Sequence, residues 1–432
     1  MQKKFIFHRL LSAFLFLSVL LSGCGRINSP NASLPEDTST AEPNPAVEPS
    51  SVLPDKELHL CTSGTDKGYY QLETLHPGSA SILYIDYAAG REIFLCSRPE
   101  CLHDTDSCTS FLSLGEDMAI PILFATNDAL YFIQTGASHS APPHISTSSL
   151  SGTEMRTIAE FPSTYTVLPD FYTDGESIYL QVYDIDADSI TSTQKIVKVN
   201  LETGAYYELY KFSGQSLSSI VGAFGRNLIA DIYTVEPGAE KGAWAYRFLN
   251  VDTAELSEEV ISIDPDKCGS YWYGSSLYKI HYEEKELEIT DYYTQESKTV
   301  SYADVFTQDG FPEFQTDIGV ASMNDALVRL DCKTVEYAEN PRFMFLFNLI
   351  TGELQPYSLI KPFNQDEITI LAETNDAYLV CTDYIAAESA PSGLTPFYTY
   401  SPQYALISKD DFAASVPNYI RILSDAYPEA WD

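Results

Sequence analysis

From residue 58 onward, apolar and polar residues alternate in short runs, and no window carries the spacing of an amphipathic helix. Tyr, Val, Ile and Phe dominate the runs, while Gly, Asn, Asp and Ser separate them, so the pattern predicts strands throughout. One run recurs. Asn127-Asp128-Ala129-Leu130-Tyr131-Phe132 returns as Asn324-Asp325-Ala326-Leu327-Val328 and as Asn375-Asp376-Ala377-Tyr378-Leu379-Val380, with looser copies around Ile178, Leu228 and Leu277. Leu130, Ile178, Leu228, Leu277, Leu327 and Tyr378 thus mark a unit that repeats every 48 to 51 positions. After each marker comes a strand, a turn opening on Asn, Asp or Ser, often a Gly four residues later, and another strand. Asp86 before Gly90, Asn200 before Gly204 and Asn348 before Gly352 are clear cases.

A period near 50 residues built from four short strands points to sheets packed radially, because a strand pair of this size cannot bury its apolar face alone. The expectation is an all-β, seven-bladed β-propeller over residues 58–432, with six and eight blades as the alternative counts. Blade one is expected to begin at Leu58-His59-Leu60-Cys61 and to use Gly68-Tyr69-Tyr70 as its second strand. Blade seven is expected to close with Tyr419-Ile420-Arg421-Ile422-Leu423. The Asn-Asp pairs are read as turn formers, since Asx side chains bond the following backbone.

The first 57 residues follow a different rule. Lys3, Lys4 and Arg9 precede an apolar run, Leu10 to Leu21, that is too short to span a bilayer. It ends in Leu21-Ser22-Gly23-Cys24, which resembles a bacterial lipobox and implies a signal peptide at 1–23 and lipidation of Cys24. Residues 24–57, with Pro30, Pro35, Pro43, Pro45, Pro49 and Pro54 and hardly a large hydrophobe, are expected to be a disordered tether. This places the protein on the extracellular face of the cell membrane, held by lipid.

With 25 basic and 61 acidic residues, the formal charge is −36. Such a surface repels phosphate backbones, which excludes nucleic acid as a partner and leaves proteins, peptides, glycans and cations.

Residues 96–108 read CSRPECLHDTDSC. Three thiols and an imidazole, Cys96, Cys101, His103 and Cys108, are the donor set of a closed tetrahedral zinc site. Cys96 is expected at the end of the fourth strand of blade one, with the remainder in the crossing to blade two. Cys101 and His103, two apart, would face the same way in an extended segment. A disulfide such as Cys101 to Cys108 and free thiols are the competing readings, because oxidising surroundings favour disulfides. Setting Cys24 aside leaves seven cysteines, an odd number, and three metal thiolates leave an even four. A metal with four protein donors leaves no open position, so its role would be structural.

The repeats resemble TolB-like and YWTD-like propellers. The C-x4-C-x-H-x4-C spacing after a first propeller hairpin, together with the lipobox, resembles a group of lipoproteins of Gram-positive anaerobes. That resemblance implies shared architecture and no activity.

Weaker signals remain. Asp184, Asp186 and Asp188 have the odd spacing of a calcium loop, but Ser189 and Lys195 stand where Gly and Glu belong, so a solvated hairpin tip is the competing reading. His139 and His144 flank a Pro-Pro pair in an expected loop. Phe397, Tyr398, Tyr400 and Tyr404 offer aromatic faces to a ligand or to the blade beneath. No nucleophile elbow, zinc-protease helix, phosphate loop or dinucleotide fingerprint occurs. The function expected is a ligand- or protein-binding or scaffolding module; the alternative is a carbohydrate-active enzyme using channel-facing carboxylates.

Overall fold

A computed structural model describes residues 56–75, 78–114, 119–136, 141–186, 191–212, 216–234, 242–258, 261–265, 267–301, 314–322, 327–334, 343–389 and 397–428. Seven antiparallel sheets follow one another along the chain and form the blades of a propeller. Blade two shows the plan: Ile122–Ala125, Ala129–Gln134, His144–Ser149 and Arg156–Glu160 pair in that order. Every marker residue falls on a second strand, and all six are buried.

Closure into a ring is visible in the core. Seven buried clusters each straddle two neighbouring blades. Tyr70 and Ile82 of blade one meet Leu123 and Leu130 of blade two, while Ile85, on the other face of the same blade-one strand, meets Leu379, Cys381 and Tyr404 of blade seven. Alternation along one strand therefore feeds two seams. Each fully buried apolar side chain contributes about 1.5–3 kcal/mol, so the seams hold the blades together.

The repeated turn is an Asx turn. Asn200 Oδ1 accepts the Thr203 amide at 2.8 Å, Asp291 Oδ1 accepts the Tyr293 amide at 2.7 Å, and Asn348 Oδ1 accepts the Ile350 amide at 2.9 Å. At the first turn of the blade the expectation needs correction. Thr126 Oγ1 accepts the Ala129 amide at 3.1 Å and Thr374 Oγ1 accepts the Ala377 amide at 3.0 Å, so the capping oxygen comes from the Thr before the Asn-Asp pair. Asn324 and Asp325 lie outside the described residues.

Both chain ends depart from the expected strand assignment. His59–Leu60 does not start blade one; it pairs antiparallel with Tyr172–Thr173 of blade three. Only a single bridge, Gly64 to Tyr69, joins the following segment to blade one. At the other end Tyr419–Arg421 is the last strand of blade seven, but Leu423–Ser424 runs parallel to Arg91–Phe94 of blade one. The edges of blades one and three would otherwise expose unpaired backbone, and these two-residue additions cover them. Among the described residues one short helix occurs, Lys409–Ala413 in blade seven; Ser408 caps it by accepting the Asp411 amide at 3.0 Å.

The seam between blades seven and one encloses acids. Glu92 is buried and bonds Gln71 and Ser424, and Glu73 accepts from the Tyr427 hydroxyl at 3.1 Å. Burial raises the Glu92 carboxyl from an ordinary 4.5 to about 7, Glu73 and Asp425 adding repulsion while Ser424 and Gln71 oppose it. Tyr404 and Tyr427 face the same acids. Stability carried by protonated Glu92 is therefore complete below pH 4.5 and is lost as pH rises through 7. Glu92→Gln is expected to remove that dependence and to raise stability at pH 8 by up to about 3 kcal/mol, read from denaturant unfolding at pH 5 and pH 8. A variant that retains the parent's pH slope would contradict the assignment.

Candidate metal centre

The centre grows out of one interrupted strand. Arg91–Phe94 and Phe111–Ser113 both pair with Ser79–Asp86, at Leu83–Asp86 and Ser79–Ser81 respectively. Residues 95–110 therefore loop out of a strand position of blade one and return to the same sheet, which corrects the expected placement in a crossing to blade two. The loop is pinned at both ends. Ser110 Oγ donates to the Ile82 carbonyl at 2.8 Å, and Thr109 Oγ1 donates to the Leu95 carbonyl at 2.6 Å. The backbone adds to this: the Leu95 amide donates to the Ile82 carbonyl at 3.0 Å and the Ile82 amide to the Ser110 carbonyl at 2.7 Å, so both legs of the loop are bonded to one strand residue.

Inside the loop, Glu100 and His103 adopt left-handed backbone, with φ of 58° and 56°. The segment is thus not extended, and Cys101 and His103 meet through turns instead of strand alternation. The result is convergence. The donor atoms of Cys96, Cys101, His103 and Cys108 all lie within 4.8 Å of one another, and among the described residues this is the group of that kind. Sulfurs bound about 2.3 Å from a tetrahedral zinc stand about 3.8 Å apart, so the set needs only small adjustments to enclose an ion. Cys96, Cys101 and Cys108 are free thiols, as are Cys61, Cys268 and Cys381. Cys332 has its side chain outside the described set.

Surrounding groups prepare the donors. The His103 ring stacks on Phe94 at 4.1 Å, and its Nδ1 lies 3.3 Å from Cys108 Sγ. Arg98 Nη2 donates to Cys101 Sγ at 3.3 Å, and the Ser110 amide donates to Cys108 Sγ at 3.4 Å. Burial tends to raise the Cys96 thiol, yet the Arg98 backbone and guanidinium, with Cys108 and Cys101, outweigh it and bring the value down to about 7. Burial raises the Cys108 thiol. Burial and then Arg98 hold His103 below its usual value, against Asp425 and Asp104, which favours the neutral imidazole a metal requires. Three thiolates around a divalent ion carry one net negative charge, and Arg98 stands where it offsets that charge.

The other candidates resolve differently. Lys195 Nζ lies 3.0 Å from Asp184 and 2.9 Å from Glu208, so a lysine occupies the place of a cation at the described part of the acidic hairpin. Asp188 and Ser189 lie outside the described residues, as does the side chain of Asp186. His144 begins a strand, with Nδ1 3.0 Å from the Pro142 carbonyl oxygen, and His139 is outside the description. Tyr404 is buried in the seam with blade one, whereas Tyr400 is half exposed and meets Phe363 edge-on at 5.2 Å. The side chains of Phe397 and Tyr398 are not among those described.

No family model matches the chain, and no curated protein matches it. Among solved structures it is similar to an oligogalacturonate lyase in complex with manganese, at 14% identity and a TM-score of 0.43, covering 79% of this chain and 88% of that one. It is similar to the β-propeller domain of the Trilobed protease from Pyrococcus furiosus, at 10% identity and a TM-score of 0.42, over 84% and 94% of the two chains. TolB from Acinetobacter baumannii is a third, at 11% identity and a TM-score of 0.33, over 79% and 76%. At such values these likenesses say nothing about activity.

Proposed function

We propose that this protein is a lipid-anchored, extracytoplasmic propeller that acts as a binding or scaffolding module for a protein, peptide or glycan. In it a zinc ion on Cys96, Cys101, His103 and Cys108 staples blade one. The observation that carries the reading is the four-donor convergence on a loop pinned to the sheet at both ends. Four protein ligands close the coordination sphere, so the ion holds structure and activates no water.

The lipobox-like Leu21-Ser22-Gly23-Cys24 supports the anchor. Among the described residues no helix is long and apolar enough to cross a membrane. Arg226 donates to the Lys56 carbonyl and bonds Asp174 at 3.1 Å and Asp252 at 2.7 Å, which ties the segment before His59 to blades three and four. Glu73 and Glu92, the acids of the seam, are engaged by Tyr427, Ser424 and Gln71 and serve closure, and so lend no support to the carbohydrate-active alternative.

Expression of the full chain in a Gram-positive host tests the anchor. Grown with a labelled fatty acid, the parent should carry the label and Cys24→Ala none, each with one zinc per chain. Label on Cys24→Ala would overturn the lipid assignment.

A further inference from the structure

The strand Arg91–Phe94 has two duties. Its first half carries the C-terminal strand. The Leu423 amide donates to the Gly90 carbonyl at 3.1 Å and the Asp425 amide to the Glu92 carbonyl at 3.0 Å. Side chains add to this: Arg91 Nε donates to Asp425 Oδ1 at 3.0 Å, Ser424 bonds Glu92, and Tyr427 bonds Glu73 at 3.1 Å. Its second half carries the metal loop, with Phe94 stacked on His103 and Cys96 following two residues later.

A two-residue parallel pairing with an exposed Leu423 belongs to the weakest class of sheet contact and opens readily unless its partner strand is held still. Here the partner strand is held at its far end by whatever closes residues 95–110. An ion bound by four donors fixes residues 96–108 between their pinned ends, whereas without it that segment regains conformational entropy and loosens the stack of His103 on Phe94. We propose that metal occupancy latches the ring: with the ion bound, residues 423–427 stay clasped over the seam of blades seven and one, and when it is removed they are released while the other blades remain folded. This rests on the zinc reading above and adds a regulatory consequence to it.

Hydrogen exchange on the full-length protein, zinc-loaded and after chelation, tests the latch, with zinc content measured in the same samples. The amides of residues 423–427 should exchange at least tenfold faster after zinc is removed, while those of blade five, residues 276–291, are unchanged. Reciprocity requires the converse: truncation after Ile422, or the milder Asp425→Asn, should weaken zinc binding, and for each variant by the same factor as zinc slows the exchange that its lost contacts protect. One zinc per chain with identical C-terminal exchange in both states would overturn the latch alone. Faster exchange in every blade after chelation would also overturn it, since the ion would then be a global stabiliser. A chain that takes up no zinc would overturn both the latch and the staple.

Discussion

Cys101→Ser is expected to purify with little or no zinc, and to bind added zinc over a hundredfold more weakly than the parent. Structural zinc sites carry apparent binding free energies of about 10–16 kcal/mol at neutral pH, so one of four donors accounts for about 3 kcal/mol or more. His103→Ala should behave alike. Cys268→Ser is the control, because Cys268 is buried in the seam of blades four and five and should leave zinc content unchanged. Acid should act on the parent through the same donors. Zinc competes with protons for Cys108, which burial raises, and for Cys96, whose value is about 7, so affinity falls with pH across this whole range and more steeply below 7, by as much as about a decade per pH unit for each protonated thiol. Competition with a chromophoric chelator between pH 5.5 and pH 8 measures both the variants and the slope. A serine variant that keeps its zinc would remove Cys101 from the site.

Gly204→Ala should be among the most damaging single-methyl additions in the protein. A Cβ at this position would stand 1.7 Å from the carbonyl oxygen of Ile158, which lies on the outer strand of blade two, and the residue's φ is +70°. Both the overlap and the left-handed backbone must be relieved, which places the expected loss at about 3 kcal/mol or more. Gly352 holds the same turn position in blade six, with φ of +72° and nothing within 4 Å of its added Cβ. Gly352→Ala should therefore show the backbone cost alone, about 1 kcal/mol. The difference between the two denaturation midpoints isolates the contact of blade three with blade two. Equal losses would mean that the blades do not touch as described.

The sequence made the blades legible because burial and repeat coincide. Leu130, Ile178, Leu228 and Leu277 recur at one spacing and are almost wholly excluded from water, and Asn200, Asp291 and Asn348 open one turn by one hydrogen-bond pattern. The chain ends were not legible. His59–Leu60 and Leu423–Ser424 are two-residue pairings, too short to leave a period, and their partners are chosen by how the ring closes. The helix Lys409–Ala413 did leave a signal, Ser408 three residues before Asp411, but five residues carry no apolar stripe. The donor types of the metal centre could be read from spacing. Their convergence could not, because it depends on left-handed backbone at both Glu100 and His103; His is a type that enters that region more readily than most, but Glu gives no warning of it. The only mark Arg98 leaves in the sequence is its place two positions after Cys96, which sets a charge among thiols.

Zinc-edge X-ray absorption of the purified full-length protein tests the central claim most directly. The account predicts one tightly held ion with three sulfur scatterers at about 2.3 Å and one nitrogen at about 2.0–2.1 Å. An oxygen-dominated sphere, or a zinc-free protein whose Cys101 and Cys108 are joined by a disulfide, would contradict it.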